Sequence, residues 1–244
     1  MNYMGSKQRL AKDIVPIIQS YIDDSHIAYI EPFVGGANII DKIKHPNKYG
    51  CDNNKYLISL LSYSQKEYNK LPESINRDTY NSVRKDYNDG TNLYEDWYIG
   101  LVGFCGSYKS KFFGGYADGK KVNRDYPREM INNLRKQSEN LNGINFIHSD
   151  FFDWDISKIN NCVIYLDPPY VNTTDYITSK MFDYDSYYDR VRELSMNNIV
   201  ICSEKYMPND FKCIWKKEII NSMNLPNGVG SQPTMVEKLY IYNK

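Results

Sequence analysis

Apolar positions in the first third of the chain switch between two periods. Leu10, Ile14, Ile17, Ile18 and Tyr21 recur at helical spacing over residues 7–22, which predicts an amphipathic helix, bent or restarted at Pro16. Ile27-Ala28-Tyr29-Ile30 is a short apolar run and reads as a strand. It ends in the turn Glu31-Pro32-Phe33-Val34-Gly35-Gly36, after which Ala37–Lys44 reads as helix. A second strand over Lys48–Cys51 ends at Asp52, and Asn53–Lys70 is again helical. This order, strand, glycine turn, helix, strand, aspartate, opens a nucleotide-binding α/β sheet.

The rhythm then changes. From Leu71 to Asn142 no clear strand occurs; residues 77–88, 92–104 and 127–141 read as helices, with a Gly- and Lys-rich stretch at Gly103–Tyr116. A tract this long is too large for a loop in a compact sheet and reads as a small helical insert. The sheet pattern resumes at Ile144–His148, which ends in Ser149-Asp150-Phe151. Cys162–Leu166 is a buried strand with Val163–Leu166 at its heart, a polar loop spans 171–182, and helix 184–196 leads to strand 198–202. A last pair of strands is expected at 212–220 and 236–242, and no internal repeat is evident. The expected division is a catalytic domain of residues 1–56 and 141–244 around an insert of residues 57–140.

The strand ends carry the chemistry. Cys162–Leu166 runs directly into Asp167-Pro168-Pro169-Tyr170. Proline lacks an N–H and has a fixed φ, so this segment offers rigid carbonyl acceptors and few competing donors. The carboxylate of Asp167 and a proline carbonyl can accept both hydrogens of one exocyclic amine, and Tyr170 can stack on the ring that carries it. The bland alternative is a proline-rich turn; the preceding strand, the Asp and the Tyr together favour a ligand site. Gly35 and Gly36 let backbone approach a ligand closely. The turn is not G-x-G-x-x-G, so no dinucleotide is implied. Asp52 stands where an acidic residue binds ribose hydroxyls, and serves equally well as an N-cap for the helix that follows. Asp150 and Phe151 suit an adenine amine and its ring, or a turn aspartate beside a core phenylalanine.

Composition changes the picture in two places. With 25% charged and 41% hydrophobic residues, and no apolar run near 18 residues, the 244-residue chain reads as a globular protein with no membrane span and no N-terminal signal core. Five cysteines without C-x-x-C spacing and three scattered histidines point to a reduced, cytoplasmic setting and away from a metal site. The formal net charge is zero, yet residues 105–136 hold eight Lys or Arg against three Asp or Glu, a net of +5. That stretch is the candidate nucleic-acid surface.

Taken together, Tyr3-Met4-Gly5-Ser6-Lys7, Glu31–Gly36, Asp52, Asp150-Phe151 and Asp167–Tyr170 resemble the motifs of the Dam-type (D12 class, alpha group) DNA adenine-N6 methyltransferases of bacteria and phages, in the same order and over essentially the whole chain. The resemblance implies a Rossmann-like α/β fold, a seven-stranded S-adenosylmethionine-dependent methyltransferase sheet with a helical target-recognition insert. It implies that Lys7, with Tyr3 beside it, binds the methionine carboxylate of S-adenosylmethionine. Phe33, Gly35 and Gly36 would line the cofactor pocket, Asp52 would hold the ribose, and Asp150 with Phe151 the adenine. Asp167, Pro168 and Tyr170 would be catalytic, with Asp167 also against the cofactor. The partner would be double-stranded DNA, with the target adenine flipped out, no metal and a monomer or weak dimer. Tyr108, Lys109, Ser110, Lys111, Arg124 and Arg128 are the candidate DNA contacts. Members acting on GATC carry an Asn- and Arg-rich hairpin where this chain has Gly103–Tyr116, so a different target sequence is expected. The competing readings are an N4-cytosine or RNA base methyltransferase, and a non-catalytic DNA-binding protein that kept the fold.

Overall fold

The computed structural model describes residues 1–169, 182–220 and 234–244. Its seven strands form one sheet in the order β3-β2-β1-β4-β5-β7-β6, built from β1 (Ala28–Glu31), β2 (Lys48–Asp52), β3 (Ile144–His148), β4 (Cys162–Leu166), β5 (Ile199–Ser203), β6 (Phe211–Ile220) and β7 (Thr234–Tyr242). The expected seven-stranded α/β sheet is therefore present. The chain divides into two compact units, Met1–Ser20 with Glu31–Trp154, and Tyr21–Ile30 with Asp155–Lys244.

In the first unit, β2 and β3 pair in parallel, with Lys48 opposite Ile144 and Asp52 opposite His148. Parallel pairing brings the carboxyl ends of both strands to one edge, where Asp52 and the Ser149-Asp150 turn follow. The helices are α1 (Ala11–Ser20), α2 (Lys55–Glu67), α3 (Arg77–Asp89), α4 (Asp96–Cys105) and α5 (Tyr126–Ser138). Leu57, Leu60 and Leu61 of α2, Ile99, Leu101 and Val102 of α4, and Ile131 and Leu134 of α5 are all buried. Between Lys55 and Leu141 no named strand occurs, only an isolated antiparallel bridge between Ser107 and Tyr116.

Two local expectations shift. Ala37–Lys44 is not a helix; only a 3-10 turn at Ile40–Lys42 forms. Ala37 sits at φ 56°, outside the helical region, and the segment buries Ile39, Ile40 and Ile43 together. β-branched residues lose χ1 freedom in a helix, which lowers the propensity of this isoleucine-rich segment to form one. The helix expected from residue 92 starts instead at Asp96. The Asp86 carboxylate accepts the Leu93 N–H at 2.9 Å and the Thr91 hydroxyl, holding that stretch as a loop.

In the second unit, β1 pairs with β4 in parallel, Ala28 opposite Cys162, and β4 with β5 in parallel, Leu166 opposite Cys202. β7 runs antiparallel to both β5 and β6. Every residue of β4 is buried, the pattern of a strand covered on both faces. Helix α6 (Tyr184–Asn197) begins at the N-cap Asp183, which accepts the Ser186 N–H at 3.1 Å. Among the described residues, no helix is long and apolar enough to cross a membrane.

Candidate functional site

In the first unit the glycine turn and the two strand ends come together. Val34 N–H donates to the Cys51 carbonyl at 2.8 Å, tying the turn to the end of β2. The Asp52 carboxylate then accepts from Gly35 N–H at 3.1 Å and from Asn54 N–H at 3.0 Å. Asn54, not Asp52, is the N-cap of α2; its side chain accepts the Tyr56 and Leu57 N–H groups, both at 3.1 Å. Asp52 is thus an ordering acceptor for the glycine turn. Burial pushes its carboxyl up to about 6, against the lowering pull of the Asn54 and Gly35 donors and of His148.

Gly35 has φ +46°, and a Cβ there would lie 2.9 Å from the Tyr3 ring. A Cβ on Gly36 would lie 2.6 Å from Asn38 Nδ2 and 2.8 Å from Tyr3 Cβ. Tyr3 therefore closes over the turn, which requires glycine at both positions. Its ring also meets Phe104 of α4, centroids 5.7 Å apart. Ser6 caps the short turn Lys7–Arg9 by accepting the Gln8 N–H at 3.1 Å, and accepts Asn38 Nδ2 at 2.8 Å. Lys7, next in sequence, is 6% exposed, unusual for a lysine.

Beside this turn, Phe33 packs on Phe151 with centroids 5.3 Å apart, and Phe151 also meets Phe152 and Trp154. Asp150 Oδ1 accepts the Phe152 N–H at 2.9 Å, while its Oδ2 accepts Asn53 Nδ2 at 3.4 Å. Tyr3, Lys7, Phe33, Gly35, Gly36, Asp52, Asp150 and Phe151 all belong to this unit. It offers a buried ammonium, a glycine turn, a strand-end carboxylate, and an aromatic wall with a second carboxylate. Those groups fit an amino-acid carboxylate, a ribose diol and an adenine.

Gln137 of α5 had no signal in the sequence. Buried, it places Nε2 within hydrogen-bond distance of the carbonyls of Gly36 at 3.1 Å and Ala37 at 3.0 Å and of the Asp41 carboxylate at 3.0 Å, so its two N–H groups are shared among them. Helix α5 thereby holds the glycine turn from the carbonyl side, across about a hundred residues of chain.

Between α4 and α5, Tyr108 N–H donates to the Gly115 carbonyl at 2.8 Å beside the Ser107–Tyr116 bridge, forming a narrow hairpin that opens with a 3-10 turn in which Lys109 and Ser110 take φ 53° and 54°. Its own Phe112 and Phe113 pack against Tyr87 and Tyr80 of α3, and Tyr80 also meets Tyr116. Tyr108 is 58% exposed, and Lys109 and Lys111 are exposed. Ser110 instead points inward, 3% exposed, its hydroxyl against Met130 Sδ at 3.4 Å. Arg124 is exposed and pairs with both Glu129 oxygens over the Tyr126 ring, and Arg128 pairs with Asp125 and Glu73.

In the second unit, β4 delivers Asp167, half-buried, and Pro168, buried, at its carboxyl end. Tyr184 of α6 donates its hydroxyl to the Pro169 carbonyl, a contact the sequence did not signal. Tyr170, the last residue of the motif, lies outside the described residues.

A family model described as "D12 class N6 adenine-specific DNA methyltransferase" matches residues 3–222. The chain is 28% identical over 193 residues to the modification methylase StsI of Streptococcus sanguinis, and 25% identical over 199 residues to the type II methyltransferase M.FokI of Planomicrobium okeanokoites. Each match covers 71% of this chain and 29% of the relative, so the chain spans under a third of the length of these curated proteins. A solved rRNA methyltransferase, aviRa from Streptomyces viridochromogenes, aligns over 99% of this chain and 87% of its own at 10% identity, with a TM-score of 0.44.

Proposed function

Because this chain belongs to the D12 class N6 adenine-specific DNA methyltransferases, we propose that it transfers a methyl group from S-adenosylmethionine to N6 of an adenine extruded from duplex DNA. The observation that carries this reading is Asp167-Pro168-Pro169 emerging from the fully buried strand β4. When bound, the cofactor supplies an electrophilic sulfonium methyl. Lys7 holds its carboxylate, Asp52 its ribose hydroxyls, and Asp150 with Phe151 its adenine. The amine of the target adenine is a poor nucleophile because its lone pair is delocalised into the ring. Asp167 carboxylate and Pro168 carbonyl accept its two N–H bonds, which favours a pyramidal nitrogen with a localised lone pair. The contribution of the chain is thus positioning and electrostatics. Extruding the base costs a few kcal/mol, which contacts to the extruded base and to the duplex must offset.

The test is incubation of unmethylated plasmid with the protein and S-adenosylmethionine, followed by single-molecule mapping of modified bases. N6-methyladenine at a recurring sequence is expected. N4-methylcytosine, or methylation of RNA alone, would replace this reading by its neighbours. Cofactor and DNA binding without any transfer would make the chain a non-catalytic DNA-binding protein. One relative is named a modification methylase and the other a type II methyltransferase, and we extend methylation at defined sites to this chain.

We assign target reading to residues 57–140, with Tyr108, Lys109 and Lys111 on the hairpin, Ser110 shaping it from inside, and Arg124 and Arg128 beyond it. Residues 105–136 carry a net +5 on a chain of zero net charge. Phosphate contacts release counterions, so DNA affinity should fall with salt at a log–log slope of about −0.9 per phosphate neutralised. Reversing Lys109 and Lys111 to Glu should flatten that slope by about two units. A salt-independent affinity, or an unchanged slope in the double variant, would move the DNA surface off this hairpin.

A further inference from the structure

We propose that Tyr184 is a positioning residue for the transfer step, holding the far end of the Asp167-Pro168-Pro169 segment through its hydrogen bond to the Pro169 carbonyl. The inference rests on the function proposed above. Its argument begins with the backbone. The rings of Pro168 and Pro169 lock their own φ, and each residue that precedes a proline is confined to extended ψ. Asp167 and Pro168 both precede a proline. The last soft torsion of the segment is therefore ψ of Pro169, which sets the direction of the Pro169 carbonyl. Tyr184 donates its hydroxyl to that carbonyl.

The near end is already held: β4 is buried along its whole length, and Leu166 pairs with Cys202 of β5. With Tyr184 at the other end, the acceptors between are fixed from both sides. Tyr184 is itself well supported. It is the first residue of α6, directly after the N-cap Asp183. Its ring meets Phe182 edge-on with centroids 4.9 Å apart, and Tyr188 one helical turn later at 6.2 Å. Burial, with Glu204 nearby, raises its phenol above the ordinary range, so the hydroxyl remains a donor at any working pH. Small displacements of reacting groups cost rate rather than binding. Losing this bond should therefore fall on turnover.

Tyr184→Phe in the full chain removes the hydroxyl and keeps the ring. The expected result is a kcat lowered tenfold or more, with KM for cofactor and for duplex within twofold of the parent. Duplex carrying 2-aminopurine at the target position should still gain fluorescence, since the base still leaves the stack, and the melting temperature should be unchanged. A kcat within twofold of the parent would overturn the proposal. So would a kcat deficit that disappears on cooling alongside a lowered melting temperature, because that is the mark of a merely structural hydroxyl. A parent chain that methylates no adenine would overturn both this inference and the proposed function, whereas an active parent with an equally active Tyr184→Phe variant overturns the inference alone.

Discussion

Asp167→Ala should lower the single-turnover rate of methyl transfer on cognate DNA by about 10²–10³-fold, the loss expected when one hydrogen-bonding group aimed at charge developing in the transition state is removed. The carboxylate acts on the amine as the nitrogen gives up planarity, an interaction stronger in the transition state than in the ground state. Its removal should therefore appear in kcat, with KM for duplex little changed. Asp167 is half-buried at a strand end and outside the fully buried run of β4. The truncation should thus leave the melting temperature close to the parent value. Asp167→Asn is the sharper companion: the amide keeps one acceptor oxygen but loses the negative charge, and its turnover should fall between the parent and the Ala variant. An Ala variant retaining near-parental turnover would remove Asp167 from the chemistry.

Asp52→Ala should weaken S-adenosylmethionine binding by roughly 10- to 150-fold while leaving duplex affinity within about twofold. A charged hydrogen bond is worth about 1.5–3 kcal/mol, and tenfold in affinity is about 1.4 kcal/mol. The variant also loses the acceptor that orders Gly35, held at 3.1 Å. The pH dependence has a definite sign. Burial raises the Asp52 carboxyl to about 6. Ribose hydroxyl donors favour the ionised form, so the bound state has the lower pKa and binding releases a proton below pH 6. Cofactor affinity should rise with pH up to about 6 and level off above about 7. The Asp52→Ala variant should lose this dependence. Calorimetric titration between pH 5 and 8 measures both effects. A flat profile in the parent chain would mean that Asp52 orders the turn without touching the ribose.

The family and the sheet were legible in the chain because their signals are local. A β-branched run followed by Asp-Pro-Pro-Tyr reports a buried strand and its ending without reference to anything distant. The periods that predict β2, β3, β4, α2 and α6 are likewise set by which face each element must bury. Ala37–Lys44 shows where that reading fails: its apolar pattern permits a helix, but Ala37 takes a positive φ directly after the glycine turn and only the 3-10 turn at Ile40–Lys42 forms. Ser110 looked like part of an exposed basic loop, yet the hairpin turned it inward onto Met130.

What only the tertiary structure decided is which group completes which hydrogen bond. Asp52 could cap α2 or order the glycine turn; Asn54 took the cap, and parallel pairing with the turn beside β2 gave Asp52 the Gly35 N–H. Gln137 reaches Gly36 from 101 residues away, and Tyr184 reaches Pro169 from 15 residues further along the chain. Hydrophobic period and turn chemistry determine elements and their ends. The partners of a buried polar side chain depend on how elements from distant parts of the chain pack, and no local pattern encodes that.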